Sequence, residues 1–252
     1  MATAPKQHLM TDGLILREYE TTAEADRFVA ILTRDKGVLR ATARGAKRLN
    51  SRSGASTQPL CYARLSLISG RDKYVIEDAQ PLEVFFALRQ DVEKLALAQY
   101  FCELALRVCP GDQPAPDHLR LLLNGLHYLC EGKKPPLLIT AVVEGRLLSL
   151  EGYMPDLTGC CRCGVAEGEL IFSPTSGTLF CPAHTGPGDG LVVSAGVLAA
   201  LRHILYGEFA RSFAFTLPPA ELAALATLME RFLLAQLQRS FTTLKFYHTL
   251  HP

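Results

Sequence analysis

Residues 27–43 read RFVAILTRDKGVLRATA, and their pattern decides the fold of the first third of the chain. Arg27 to Leu32 has the composition of a strand and runs into a turn at Asp35-Lys36-Gly37. Val38 to Ala43 then alternates as a half-buried strand does. Working outward, a strand precedes this pair around Leu14 to Arg17. Beyond a polar loop at Asn50 to Thr57, two more pieces follow, Ala63 to Ile68 and Tyr74 to Glu77, parted by the turn Ser69-Gly70-Arg71-Asp72. About five short strands in such a span predict a small barrel or an open sandwich.

Past Pro81 the apolar residues change to helical period. Asp91 is placed to cap a helix carrying Val92, Leu95, Leu97, Phe101, Leu104 and Val108, which Pro110-Gly111 stops. Asp117 is placed to cap a second, ending near Gly132, and a third spans Leu137 to Leu150. Two more begin at Ser194 and after Pro218-Pro219. None is long enough to stand alone, so a helical bundle is expected. The predicted organisation is multidomain α+β: a barrel over 1–80, helical parts over 81–155 and 191–252, and an inserted module over 156–190. Cys61, Cys102, Cys109 and Cys130 fall in predicted strand or helix and read as small core residues.

The insertion reads CCRCGVAEGELIFSPTSGTLFCPAH from Cys160 to His184 and holds four of the chain's eight cysteines. Cys160-x2-Cys163 and Cys181-x2-His184 are two knuckles at a spacing that suits a tetrahedral zinc ion, one Zn2+ per chain. Gly164 permits the turn that aims amide protons at the sulfurs. Glu169 to Phe172 and Thr178 to Phe180 are expected as two short strands of a zinc-ribbon-like module. Surface cysteines left from a lost site, or a redox pair, are the alternatives; a thioredoxin-like setting is missing. Four filled positions point to a structural site rather than a catalytic one.

From Arg34 to Arg52 the chain carries seven basic residues (Arg34, Lys36, Arg40, Arg44, Lys47, Arg48, Arg52) against one acid, Asp35. Arg64, Arg71 and Lys73 extend the run, with only Asp72 opposing. Over the whole chain the net charge is only +1, so positive charge is concentrated rather than abundant. This layout suits phosphate contacts, with a partnerless solvated surface as the alternative. Tyr19, Phe28, Tyr62 and Tyr74 are the only aromatic residues in the predicted strands. Binding is therefore expected to be mainly electrostatic and weakly sequence-selective.

Enzyme motifs are missing: there is no phosphate loop, GxGxxG, HExxH or GxSxG. His127 reads as a packed core histidine, and His118 and His203 lack a partner at catalytic spacing. The chain is expected not to be an enzyme. MATAPKQHL has no apolar signal-peptide core, and no run of about 18 apolar residues could cross a bilayer, so the expected location is the cytoplasm, without membrane contact.

The run from Thr11 to Arg52 resembles the N-terminal signature of the bacterial RecO family. The shared features are Asp12-Gly13, Asp26-Arg27, Thr33, Gly37 and Ala43-Arg44-Gly45-Ala46-Lys47 with Ser51. The knuckles, Phe172-Ser173-Pro174, Gly177 and Arg239-Ser240 continue the match in the same order. The resemblance implies an N-terminal OB-fold, a helical domain and a zinc module. It implies a recombination mediator that binds single- and double-stranded DNA and anneals complementary strands. With RecR, such a protein helps load RecA onto DNA coated by single-strand-binding protein (SSB), whose C-terminal tail it receives; on DNA it would be nucleoid-associated. His184 stands where relatives often have cysteine, and Cys161 is an extra thiol. A zinc-containing adaptor acting on RNA or in transcription is the alternative reading, and a zinc-dependent hydrolase a more distant one.

Overall fold

The computed structural model describes residues 8–70, 73–184, 188 and 190–250. Five strands come first: β1 (His8–Tyr19), β2 (Arg27–Thr33), β3 (Gly37–Ala43), β4 (Cys61–Ser69) and β5 (Tyr74–Val84). The helices α1 (Val92–Val108), α2 (Pro116–Glu131) and α3 (Pro136–Leu150) follow. Next come the short strands β6 (Asp156–Cys160), β7 (Leu170–Ser173), β8 (Thr178–Phe180) and β9 (Leu191–Val193). Helices α4 (Ala195–Tyr206), α5 (Pro219–Leu237) and α6 (Thr242–Thr249) complete the chain. Two compact units result, residues 1–130 with 241–252 and residues 131–240.

In the first unit the strands close into a barrel in the order β1-β2-β3-β5-β4. β3 and β5 pair in parallel and the other neighbours antiparallel, the Greek-key order of an OB-fold. Alternate residues fill the interior, among them Ile15, Val29, Ile31, Leu39, Ala41, Leu65 and Leu67. A register shift between Ile15 and Arg17 bends β1 and helps the sheet close. β5 runs past the expected Glu77 to Val84 despite Pro81, because that proline faces Ala63 at a shift in the ladder.

The turn between β2 and β3 is tied to the segment linking α1 and α2. Val38 N–H donates to the Pro110 carbonyl at 2.8 Å, and Ala115 N–H to that of Arg34 at 2.9 Å. Asp91 caps α1 as its sequence predicts, accepting from the Glu93 and Lys94 amides. α2 starts at Pro116, so Asp117 lies in its first turn rather than at its cap. On α2 the expected core histidine, His127, is exposed, and it is His118 that is buried with Leu119, Leu122 and Gly125. Nine positions at 3.6 per turn put the two about 180° apart, so only one can face the core. Cys61 and Cys102 are core residues, while Cys109 and Cys130 are half-buried.

The second unit is built around α3, which is mostly apolar and buried from Leu138 to Leu148, Glu144 and Arg146 included. At Gly145 a side chain would meet Ile204 Cγ2 of α4 at 2.7 Å and Met229 Cε of α5 at 2.9 Å, so glycine sets how closely these helices pack. Arg146 points into the 207–212 segment, donating to Ser212 Oγ and the Gly207 carbonyl, each at 2.6 Å. The short strands form one sheet in the order β6-β8-β7-β9, twice the two-stranded ribbon expected. Phe172 of β7 packs edge-on against Phe232 of α5 at 5.5 Å, anchoring the sheet to the helices.

Candidate nucleic-acid interface and metal centre

The basic residues lie on the barrel's outer surface and its loops, in three groups. Arg34 and Lys36 occupy the β2–β3 turn, where Arg34 pairs with Asp35 at 3.4 Å and Asp12 at 3.8 Å. Those two carboxylates push the Arg34 guanidinium above its ordinary range, Asp35 being the stronger influence. Arg44, Lys47, Arg48 and Arg52 sit in the 44–60 loop after β3. Lys47 pairs with Glu18 at 2.9 Å, and Arg27 reaches the same carboxylate. Arg44, Arg48 and Arg52 are exposed and have no ion pair among the described residues. Arg71 lies outside the described residues.

The third group forms through strand register. Tyr19 pairs with Phe28 and Phe28 with Thr42, so all three share the outer face; Arg17 and Arg40 both pair with Ala30 in the adjoining row. Tyr19 and Phe28 stand 5.5 Å apart. Arg17 and Arg40 approach the Tyr19 ring at 5.5 and 5.4 Å, and Lys73 approaches Phe28 at 4.9 Å. Arg40 and Lys73 also line a groove with Ser69, Gly70, Tyr74 and Asp112. Arg17 was not foreseen as part of this surface: it stands alone among its neighbours in sequence, and only the β1–β2–β3 register sets it across from Arg40.

In the second unit the parallel pairing of β6 with β8 brings the two knuckles together, since Cys160 ends one strand opposite Leu179 near the end of the other. Gly164, at φ +77°, lets the first knuckle fold back, its N–H donating to the Cys160 carbonyl at 2.8 Å. The ligand atoms of Cys160, Cys163, Cys181 and His184 all lie within 4.8 Å of one another. Cys163 and Cys181 sulfurs are 3.8 Å apart, and His184 Nδ1 lies 3.3 Å from Cys181 and 4.0 Å from Cys160. A tetrahedral zinc with Zn–S of about 2.3 Å and Zn–N of about 2.0 Å requires edges of about 3.8 and 3.5 Å. The four residues can hold a metal ion.

Electrostatics agree with that fit. Burial opposes ionisation of Cys160, but amide N–H groups of Arg162, Cys163 and Cys181 hold its thiol down to about 6. The Val165 amide favours ionisation of Cys163, yet burial and the adjacent Cys160 and Cys181 leave that thiol raised. Crowded thiolates of this kind are what a bound cation relieves.

The N-terminal part, residues 7–85, matches the model "Recombination protein O N terminal", and residues 89–245 match "Recombination protein O C terminal". The chain belongs to the RecO family. A DNA repair protein RecO from Acetivibrio thermocellus is 33% identical, covering 96% of this chain and 97% of its own length. One from Symbiobacterium thermophilum is 32% identical over 95% and 96%. A third, from Desulforudis audaxviator, is 41% identical over 68% of each chain. Among the described residues of this RecO-family chain no helix is long and apolar enough to cross a membrane.

Proposed function

We propose that this RecO-family DNA repair protein is a non-enzymatic recombination mediator. It binds single- and double-stranded DNA on the barrel, anneals complementary strands and, with RecR, helps load RecA onto SSB-coated DNA in the cytoplasm. Arg34, Lys36, Arg40, Arg44, Lys47, Arg48, Arg52, Arg71 and Lys73 are its phosphate contacts. The carrying observation is the closed barrel whose 44–60 loop offers Arg44, Arg48 and Arg52 without an acidic partner among the described residues. Phosphates carry no base information, so such contacts serve a protein that must act on any sequence.

Zinc, held by Cys160, Cys163, Cys181 and His184, plays a structural part in this reading. Four protein ligands leave no open position for water, so the ion would cross-link the small sheet rather than activate a nucleophile. Apolar helix surface receives the SSB tail, with basic residues meeting its acidic side chains. The deciding experiment is annealing of complementary oligonucleotides, bare and SSB-coated. Faster annealing in both is expected; no acceleration of either would overturn the mediator reading. Titration with an SSB-tail peptide at low salt tests the partner separately.

A further inference from the structure

Three cations converge on two adjacent rings at the barrel's outer face. Arg17 and Arg40 both approach Tyr19, Lys73 approaches Phe28, and the rings stand 5.5 Å apart. Tyr19 and Phe28 are each half-buried, so part of each ring is open to solvent. Among the described residues none of the three cations has a carboxylate in ion-pair reach; Glu18 is taken by Arg27 and Lys47, and Asp112 lines the groove near Arg40 and Lys73 without pairing. Cation–π contacts at such exposure contribute little, so two guanidinium groups gathered at one ring without a counter-charge are not explained by folding. They are explained by a polyanion whose flat groups are unpaired.

We propose that Tyr19 and Phe28 are a stacking platform for the unpaired bases of a single strand, with Arg17, Arg40 and Lys73 on the flanking phosphates. The proposal rests on the reading that the barrel binds DNA, and deepens it. Every base has a π-face, so stacking here is tolerant of sequence, while a duplex hides its base faces and can offer only phosphates. Because Arg17 and Arg40 flank the fully buried Ala30 in one row, and Tyr19 and Phe28 form the next, backbone and bases of one strand would follow adjacent rows across β1, β2 and β3. The outer face thereby separates the two kinds of DNA: stacking selects single strands, and the 44–60 loop serves both.

The test compares single-stranded and duplex oligonucleotides with the full-length protein. Replacing Tyr19 and Phe28 together by Leu keeps apolar cover over the barrel but removes the π-faces. Single-strand affinity is expected to fall about tenfold, the scale of one stacked base, with duplex affinity and the salt slope unchanged. Tyr19→Phe keeps a ring and should retain binding. Arg17→Gln should lower the single-strand salt slope by about 0.7, the value of one phosphate contact. The chain has no tryptophan, so Tyr19→Trp supplies a single indole, expected to be quenched by single strands and not by duplex. Unchanged single-strand affinity in the double-Leu variant, or equal losses on both DNA forms, would overturn the platform. Failure of the wild-type protein to bind single strands would overturn the DNA reading beneath it.

Discussion

Lys47 and Arg48 are neighbours in sequence and differ in circumstance. Lys47 holds Glu18 at 2.9 Å, whereas Arg48 is exposed with no ion pair among the described residues. A cation already facing a carboxylate releases fewer counterions when it meets a phosphate, so the two should not contribute alike. Arg48→Ala with Arg52→Ala is expected to reduce the single-strand salt slope by up to about 1.4, two contacts' worth. Lys47→Ala should reduce it by less than one contact. Arg211→Ala with Arg231→Ala, on the second unit, is the control. Salt titrations by fluorescence anisotropy check all three, and an equal effect in the control would show diffuse charge rather than a loop site. At this scale the sequence shows which residues are charged but not which are already neutralised. Glu18 and Lys47 are separated by 29 positions, and strand register rather than spacing joins them.

Helix α6 shows what local sequence leaves out of an element. It has only eight residues, and its cap residue Phe241 makes no side-chain cap hydrogen bond. The cap comes from α1: Glu103 accepts from Thr243 Oγ1 at 2.6 Å and from Thr243 N at 3.0 Å. Phe241 is buried edge-on against Tyr100. A helix whose cap lies 140 residues away cannot be read from its own flanks, whereas α1, capped by the adjacent Asp91, can. Burial raises the Glu103 pKa, but the Thr243 and Thr242 donors outweigh it and hold the carboxyl below its ordinary 4.5. The folded value being depressed, the stabilisation is fully present above about pH 4.5 and is lost as pH falls through the folded value. Glu103→Gln should lose that pH dependence, and Glu103→Ala should cost about 1–2 kcal/mol, the range for a lost cap. Hydrogen exchange on α6 amides across pH 3–7 checks both; an unchanged profile in Glu103→Gln would show that other groups control docking. Packing inside the second unit makes a different demand. Gly145→Leu should destabilise it by about 3 kcal/mol through overpacking against Ile204 and Met229, measured by denaturant unfolding.

Across the whole molecule, the barrel and the gathering of Cys160, Cys163, Cys181 and His184 were legible because each is encoded within a short stretch: alternation and turns for the strands, paired knuckles for the cluster. The partition of helices was not, because the same apolar periodicity places α1, α2 and α6 in one unit and α3, α4 and α5 in the other. That partition carries the final prediction. The cluster joins the ends of β6 and β8, strands of only five and three residues, too short to hold register unaided. The barrel has its own interior, made by residues from Ile15 to Ala79. Removing the metal with a chelator, or replacing Cys163 by Ala, should therefore loosen the sheet between Asp156 and Val193, where Phe172 on Phe232 remains as an anchor. Barrel amides should keep their exchange protection, and single-strand affinity should change by less than about twofold, because the proposed phosphate contacts belong to the other unit. Metal analysis is expected to give one zinc per wild-type chain and none in Cys163→Ala. Full zinc content in that variant would remove the ligand assignment, and lost barrel protection would show that the metal supports both units rather than one.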